Sequence, residues 1–327
     1  MYTPGKIVFE DIIKTARQVI TDESQAISLL AGAIDDEFAK AVELILTSRG
    51  RLVVTGIGKS AIIGSKIVAT LNSTGTPSIF MHAADAIHGD LGIIQEEDIV
   101  LCISKSGNSP EIKLLIPLIK NLGNKIIAIV SKRDSFLAQK SDLSIITPVD
   151  KEACPNNLAP TSSTTVQLVT GDALAVCLLE CRGFTEKDYA KFHPGGSLGK
   201  KLYMRVSDFY LENKFPKVSI NDTISRSIVE ISSNRLGATA VMDENGNLAG
   251  IITDGDLRRM LEKNSDINSL QAGDIMTKNP RTIEYDALAI EAFDKMRKNN
   301  ITQLLILRNG YYAGIIHLHD ILKEGVV

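Results

Sequence analysis

Apolar positions along the first half of the chain alternate between short continuous runs and stretches with a helical period. From 6 to 49 apolar residues recur every three or four positions, which predicts amphipathic helical structure. Five short apolar runs follow and predict buried strands, and helical patterns separate most of them. The predicted strands are 51–55, 78–81, 98–103, 125–130 and 143–146, and the later predicted helices are 60–71, 112–122 and 163–181. This alternation predicts an α/β domain with a doubly wound, five-stranded parallel sheet.

The C-terminal part of the chain contains an internal repeat. Residues 216–257 align without a gap with residues 280–321, at a constant offset of 64. Each copy predicts a strand, a helix, a strand, an Asn-Gly hairpin, a strand and a helix. One copy is small for an independent core, so we expect the two copies to pack together as an α+β pair.

These patterns divide the chain into five segments. The predicted segments are an N-terminal helical segment (1–34), the α/β domain (35–182), a glycine-rich linking segment that contains His193 and the expected hinge (183–204), a first repeat (205–264) and a second repeat (270–327).

Composition argues against several classes of protein. The net charge is −3 and no basic block occurs, so nucleic acid is not an expected partner. The first residues lack the apolar stretch of a signal peptide, and no run of about eighteen apolar residues predicts a membrane span. The four cysteines form no C-x-x-C pair, and we expect buried free thiols in a reducing cytoplasm.

Polar loops follow three of the predicted strands, at residues 55–60, 104–111 and 148–152. In a parallel sheet these loops meet at the carboxyl edge, where ligands bind. The second loop holds three serines and leads into a helix that begins at Pro110, so it offers hydroxyls and backbone N–H groups to an anion. It predicts a small phosphate monoester held mainly by neutral donors, with a simple capped helix as the alternative.

The first loop, Gly56-x-Gly58 followed by Lys59, does not fit either common nucleotide motif. A dinucleotide site would need an acidic residue at the tip of the next strand, which reads Met81-His82-Ala83. A P-loop would need a glycine in place of Val53. We therefore predict no cofactor and interpret the loop as a tight turn that brings Lys59 to the sheet edge, against the alternative of a solvated surface lysine.

Glu111 and Glu152 follow the third and fifth predicted strands. A carboxylate can remove a carbon-bound proton next to a carbonyl when a cation such as Lys59 stabilises the enediolate. Glu152 is the favoured base and Glu111 the alternative, since an acid in the first helical turn is also explained by the helix dipole. The hydroxyl cluster at 161–165 exceeds what one helix cap needs and predicts phosphate or sugar contacts, with plain capping as the alternative.

The histidines give further candidates. His193 lies outside any periodic apolar pattern, so a core position is not expected. His82, Asp85 and His88 have near-helical spacing, but zinc sites need three or four convergent ligands. We predict no required metal, and keep His82 and His88 as candidates for an inhibitory metal site.

Together these motifs resemble a known family. Gly-Ile-Gly-Lys-Ser, Ser-x-Ser-Gly-x-Ser-x-Glu and the Ser/Thr cluster resemble a sugar isomerase (SIS) domain, and the repeats resemble a pair of cystathionine-β-synthase (CBS) domains. With His-Pro-Gly-Gly-Ser-Leu-Gly-Lys between them, the chain is similar to the D-arabinose 5-phosphate isomerases of the KdsD, KpsF and GutQ type. The resemblance implies interconversion of D-ribulose 5-phosphate and D-arabinose 5-phosphate, the first step toward Kdo for lipopolysaccharide or capsule. It also implies a homotetramer in which His193 reaches a neighbour's active site.

The resemblance implies catalytic roles for Lys59, Glu111, Glu152 and His193. The residues expected to bind substrate lie on or near the edge loops and are Gly56, Gly58, Ser60, His88, Ser104, Ser106, Gly107, Ser109, Ser163, Thr164 and Thr165. In the first CBS copy Thr253 and Asp256 match the T-x-x-D pattern that holds a ribose, whereas His317 replaces the threonine in the second. A nucleotide or CMP-Kdo is therefore a candidate effector. The competing functions are a non-catalytic phosphosugar sensor and an isomerase of another phosphosugar.

Overall fold

The computed structural model describes residues 9–210, 215–263 and 267–327. These residues form two compact units, one that ends at Tyr189 and one that begins at Ala190. The sequence predictions for residues 1–8, 211–214 and 264 lie outside the described residues.

The first unit is built on a five-stranded parallel sheet with the strand order β2-β1-β3-β4-β5. The prediction of such a sheet is confirmed, and each strand ends within one residue of the predicted apolar run. β1 and β3 are buried along their whole length because helices cover both faces of the sheet. The strands are β1 Leu52–Gly56, β2 Ser78–His82, β3 Ile99–Ser104, β4 Lys125–Val130 and β5 Leu143–Ile146.

Two apolar clusters, one on each face, hold the helices to this sheet. α2, α3 and α7 pack on one face through residues such as Ile45, Ile67 and Leu174, and α4, α5 and α6 pack on the other. The helical pattern from 6 to 49 is two helices rather than one, because the Asp35 carboxylate accepts a hydrogen bond from the Glu37 N–H and starts α2. The helices are α1 Phe9–Ala33, α2 Asp36–Thr47, α3 Lys59–Ser73, α4 Ala83–Ala86, α5 Pro110–Asn121, α6 Phe136–Lys140, α7 Ser162–Cys181 and α8 Glu186–Phe192.

The strand order fixes where a ligand can bind. From β1 the chain first adds β2 on one side and then β3 on the other, so the switch in winding direction lies between β1 and β3. Open parallel sheets bind ligands in the crevice at this point, beyond the carboxyl ends of the strands. The loops that follow β1 and β3 begin at Ile57 and Lys105.

The second unit contains the two repeats. Each copy has the predicted order of strand, helix, strand, hairpin, strand and helix, in sheets ordered β6-β7-β8-β9 and β10-β11-β12. Leu236 and Ala238 of the first copy share an apolar cluster with Leu305 and Ile315 of the second, so the copies pack together as expected. The elements are α9 Ser197–Tyr203, α10 Val206–Tyr210, β6 Lys217–Ser219, α11 Ile224–Asn234, β7 Ala238–Met242, β8 Leu248–Thr253, α12 Asp254–Glu262, α13 Ala272–Ile275, β9 Thr277–Lys278, β10 Thr282–Glu284, α14 Ala289–Asn299, β11 Gln303–Arg308, β12 Tyr311–His317 and α15 Leu318–Lys323.

Helix α7 is long and apolar enough to cross a membrane by length and composition alone. Its residues Leu174, Ala175 and Leu178 belong to the apolar cluster that also contains Ile67 and the sheet. We therefore interpret α7 as the core helix of the first unit.

The four cysteines are free thiols. Cys102 is buried in β3 as expected, and burial raises its pKa to about 12. The expectation of burial is wrong for Cys181, which is exposed at the end of α7.

A close contact between two helices of the first unit gives a test of the fold. A Cβ atom at Gly171 of α7 would lie 2.3 Å from two side-chain carbons of the fully buried Ile67 of α3. We expect Gly171→Ala to lower the free energy of unfolding by about 1–3 kcal/mol through overpacking. In the control Gly32→Ala, the new methyl group in α1 meets no atom within 4 Å, so its effect should be neutral or stabilising by up to about 1 kcal/mol. Urea unfolding followed by circular dichroism measures both, and equal stabilities would contradict the close packing.

Candidate active site

The loop after β1 presents Lys59 at the carboxyl edge of the sheet. Gly58 has a φ of +59°, a conformation that favours glycine, and α3 begins at the next residue. Lys59 is exposed, and its ammonium group makes no hydrogen bond or ion pair with any residue that the structure describes. Gly56 ends β1 opposite Ile103 of β3, so Lys59 lies at the switch point.

The loop at 104–109, which starts with the last residue of β3, has a fixed backbone. The Ser104 hydroxyl accepts a hydrogen bond from the Gly107 N–H at 3.1 Å. Gly107 has a φ of +63°, and a Cβ atom there would lie 2.5 Å from the Ser135 hydroxyl oxygen, so glycine is required. The N–H groups of Phe136 and Leu137 donate to Asn108 and Gly107, which holds the loop against α6.

Several buried hydroxyl groups along this edge of the sheet have no hydrogen-bond partner among the described residues. Ser109 precedes Pro110 at the start of α5, and its hydroxyl is buried without a hydrogen-bond partner among the described residues. Leaving a buried hydroxyl unpaired costs about 1–3 kcal/mol, and such groups in native proteins indicate a missing water, ion or ligand. The unpaired hydroxyls at or next to the carboxyl ends of the strands and at the starts of α5 and α7 are Thr55, Ser109, Ser131, Thr147 and Ser162.

Glu152 lies at the centre of a hydrogen-bond cluster in the first unit. Its side chain is 1% exposed, and Oε1 accepts from the Lys105 ammonium and the Ser163 hydroxyl, each at 2.5 Å. Oε2 accepts from the Thr161 N–H at 2.8 Å, from the Ser163 N–H at 3.1 Å and from the Thr161 hydroxyl at 3.3 Å. The carboxylate therefore joins the loop after β3 to the start of α7.

These contacts set the charge state of Glu152. Burial alone would raise the pKa of its carboxyl, but the hydrogen bonds from Lys105, Ser163 and Thr161 outweigh burial and lower the pKa to about 2. Proton transfer is most efficient when the pKa of the base is near the working pH. A carboxyl whose pKa is about 2 is ionised near neutral pH, and the choice between Glu152 and Glu111 as the base stays a prediction.

Glu111 has a different environment. It lies in the first turn of α5, directly after the loop at 104–109, and is half-buried. Its carboxylate makes no hydrogen bond or ion pair within the described parts of the chain. Glu111 therefore lacks the protein donors that hold the Glu152 carboxylate.

The hydroxyl cluster at the start of α7 is mostly used inside the protein. Ser163 donates to Glu152, Thr164 to the Thr161 carbonyl at 2.8 Å and Thr165 to the Glu23 carboxylate of α1 at 2.9 Å. A hydroxyl that has given its proton to a protein acceptor cannot donate it to a phosphate. In this arrangement Ser163, Thr164 and Thr165 stabilise the start of α7, and Ser162 is the unpaired hydroxyl.

His82 and His88 lie after β2. The Nδ1 atom of His82 is 3.6 Å from the Asp85 carboxylate, and His88 is exposed. Across residues 9–210, 215–263 and 267–327, no group of three or more His, Cys, Asp or Glu side chains converges on a metal position.

His193 belongs to the second unit. It lies in the turn between α8 and α9, where its carbonyl accepts from the Gly196 N–H at 3.1 Å. A Cβ atom at Gly199 of α9 would lie 2.3 Å from that carbonyl oxygen. The Lys200 ammonium of α9 donates to the Glu324 carbonyl at 2.6 Å. The His193 turn is thus attached to the second repeat, which the glycine-rich sequence did not indicate.

A cleft of about 850 Å³ lies between the two repeats and is lined by residues that include Thr253, Asp256, Arg259 and Arg281. The Thr253 hydroxyl and the Asp256 carboxylate form a capping box at the start of α12, and Asp256 also accepts from Arg259 and Thr277. Thr253 and Asp256 therefore line this cleft, but their polar atoms already have protein partners.

Lys105 is not among the site residues predicted from the sequence. Its partner Glu152 is 47 positions away, and only the fold brings the two side chains together. The available signal was the position of Lys105 between two serines of the anion-binding loop.

Comparison with known proteins identifies both units. The SIS domain model matches residues 45–177, and the CBS domain model matches residues 206–263 and 272–326. A Pseudomonas aeruginosa protein named arabinose 5-phosphate isomerase KdsD is 45% identical over 97% of this chain and 98% of its own length. A Francisella tularensis protein of the same name is 46% identical over 95% and 96%. An Escherichia coli CFT073 protein solved in complex with arabinose 5-phosphate is 39% identical, with a TM-score of 0.56 over 57% of this chain and all of its own.

The ionised Glu152 makes stability dependent on pH. Its pKa in the folded protein is about 2, below the ordinary 4.5, so its contribution is complete above pH 4.5 and is lost as the pH falls toward 2. The contribution is on the order of 3 kcal/mol. We expect Glu152→Gln to reduce the loss of unfolding free energy between pH 5 and pH 2 by about that amount.

Chemical denaturation at a series of pH values measures this dependence. The control is Glu180→Gln, which removes an acid from the other end of α7 and should leave the pH dependence near that of wild type. Parallel pH curves for wild type and Glu152→Gln would contradict the assignment.

Proposed function

The chain belongs to the family of arabinose 5-phosphate isomerases that join a SIS domain to two CBS domains, and we propose that it interconverts D-ribulose 5-phosphate and D-arabinose 5-phosphate. The reaction is an aldose–ketose isomerisation through an enediol. Its product feeds the synthesis of Kdo for lipopolysaccharide or capsule. The homologues named for this activity cover nearly the whole chain, and the protein solved with arabinose 5-phosphate is a homologue of more than half of it.

One structural observation supports the proposal most directly. The loops that follow β1 and β3, on either side of the switch point, carry an ammonium without a partner (Lys59), a carboxylate without a partner (Glu111) and a buried, unpaired hydroxyl (Ser109), each judged within the described residues. A phosphosugar isomerase needs a cation, a proton acceptor and a phosphate site. A phosphosugar sensor would need only the phosphate site.

The chemistry requires one proton to move between neighbouring carbons. Glu111 takes the proton from C1 of D-ribulose 5-phosphate, the C2 carbonyl oxygen gains a proton, and the enediol forms. Glu111 then returns a proton to C2, while the C1 hydroxyl loses its proton and becomes the aldehyde of D-arabinose 5-phosphate. Lys59 stabilises the negative charge that develops on the oxygens, and His193 assists their proton exchange, as the family resemblance implies.

The phosphate occupies the loop at 104–109. The Ser106 and Ser109 hydroxyls and the N–H groups at the start of α5 are the neutral donors for its oxygens. The positive end of the α5 dipole favours the negative charge. These donors fix the phosphate end of the sugar, so that C1 and C2 lie toward Lys59 and Glu111.

The oligomeric state of the protein is a further part of the proposal. α1 buries only Ala26 and Leu30 within its unit, whereas Phe9, Ile12 and Ile20 are at least half exposed. Such an apolar stripe fits a contact between copies of the chain, and we propose a homotetramer in which His193 completes a neighbour's site.

The free thiols fit a reducing compartment, and we place the reaction in the cytoplasm.

We also propose that the cleft between the repeats binds one nucleotide-containing effector. The cleft has the volume for a nucleotide, and Arg259 and Arg281 supply positive charge for phosphate groups. In the second copy His317 takes the capping position that corresponds to Thr253, so an equivalent second site is not expected.

The reaction itself is tested by isotope transfer. Wild type incubated with D-ribulose 5-phosphate in D₂O should yield D-arabinose 5-phosphate with deuterium at C2, identified by NMR. Glu111→Gln should lower kcat by about 10²-fold or more with little change in KM, because a base acts in the transition state.

Glu152→Gln removes the other acid of the same edge, and its kcat should stay within a few-fold of wild type; Glu180→Gln, at the far end of α7, is the control and should match wild type. If the product is D-ribose 5-phosphate or another aldose, the protein catalyses a different isomerisation from the one proposed. If the protein binds a phosphosugar but does not convert it, the result would favour the alternative function of a non-catalytic phosphosugar sensor. A loss of kcat in Glu152→Gln, with kcat unchanged in Glu111→Gln, would identify Glu152 as the base.

Titration calorimetry tests the effector site. ATP, AMP and CMP-Kdo are titrated into the intact protein, and we expect one of them to bind with a stoichiometry of one per chain. Arg281→Gln should weaken that binding about tenfold through loss of a charge-assisted hydrogen bond. Arg226→Gln, on the exposed surface of α11, is the control. No binding of any of the three would leave oligomer formation as the role of the repeats.

A further inference from the structure

Lys105 is the basic residue of the loop at 104–109. Its side chain is 39% exposed, and its ammonium donates to Glu152 Oε1 at 2.5 Å. An ammonium group has three N–H donors, so two remain available in the part of the chain that the structure describes. Lys105 therefore reaches both a buried carboxylate and the solvent side of the phosphate loop.

The Glu152 carboxylate is a rigid anchor for this lysine. Four other donors hold it, from Thr161 and Ser163 at the start of the 20-residue helix α7. Fixing a lysine side chain costs about 2 kcal/mol of rotamer entropy, and a prior contact with Glu152 removes part of that cost from ligand binding. Preorganised donors of this kind bind an anion more tightly than mobile ones.

The ion pair with Glu152 does not fully neutralise the positive charge of Lys105. The N–H groups of Thr161 and Ser163 and the positive end of the α7 dipole also neutralise Glu152. The ammonium can therefore still attract the phosphate, which carries a charge of about −1.5 to −2 at pH 7. The neutral hydroxyls of the loop provide no such charge.

We propose that Glu152 is a positioning residue that holds the Lys105 ammonium at the loop at 104–109, where Lys105 binds the phosphate of the substrate. The inference rests on the proposed function, because it takes a phosphosugar as the ligand. It assigns Glu152 to substrate affinity through Lys105 rather than to proton transfer. It also adds a cation to a phosphate site whose other donors are neutral.

Inorganic phosphate is the probe, titrated into the full-length protein by calorimetry. Lys105→Met should raise the Kd for phosphate about 10-fold to 100-fold, the range of one charge-assisted hydrogen bond. Glu152→Gln should raise it in the same direction, and the double variant should bind no more weakly than Lys105→Met, because the two residues act as one unit. The KM for D-arabinose 5-phosphate should rise in parallel, with kcat within a few-fold of wild type.

Lys66→Met is the matched control. Lys66 makes an ion pair with Asp172 at the same 2.5 Å in the same unit, but both side chains are nearly half exposed and lie on α3 and α7. Its phosphate affinity and KM should equal those of wild type. If Lys105→Met does not fold, Lys105→Gln retains an N–H donor for the buried carboxylate and should show the same loss of phosphate affinity.

Unchanged phosphate affinity in a folded Lys105→Met or Lys105→Gln variant would overturn the proposal. A 10²-fold loss of kcat in Glu152→Gln with unchanged phosphate affinity would also overturn it and assign Glu152 to proton transfer. Phosphate binding needs no turnover, so a wild type that fails to isomerise pentose phosphates would refute the proposed reaction while the calorimetry still decides the role of Lys105.

Discussion

The organisation of the proposed active site depends on one buried carboxylate. The segment between β5 and α7 contains no strand or helix, and Glu152 connects it to its surroundings. Its side chain accepts from Thr161, Ser163 and Lys105, and its own N–H donates to Asn157 at 2.7 Å. The loop after β3, the segment after β5 and the start of α7 are thus placed relative to one another by a single ionised group, which is expensive to bury and therefore needs all of these donors.

The features that follow from periodicity could be predicted from the sequence. The five strands and the two repeats depend on apolar spacing and on turn residues, which are local properties of the chain. The edge of the sheet that binds ligands follows from strand direction alone. For the same reason, Lys59, Glu111 and Glu152 could be assigned to that edge before their contacts were known.

The partners of these side chains could not be predicted in this way. Ser163 and Thr165 look equivalent in the sequence, but one donates to Glu152 and the other to Glu23 of α1. The choice depends on which acceptor the packing of α1 and of the loops brings within 3 Å. The attachment of the His193 turn to the second repeat, through Lys200 and Glu324, is likewise a result of tertiary packing.

The contact between Gly171 and Ile67 sets the spacing of the two helices that lead into the site. Ile67 lies eight residues after Lys59, and Gly171 lies eight residues after Ser163. In each helix, about 12 Å therefore separates the Gly171–Ile67 contact from the residue near the sheet edge. Rigid helices transmit a change in separation along their length. In the proposed site, the distance between Lys59 and the Glu152 cluster, and with it the length of sugar that would fit between them, is therefore set from the middle of the core and not only by the residues proposed to touch substrate.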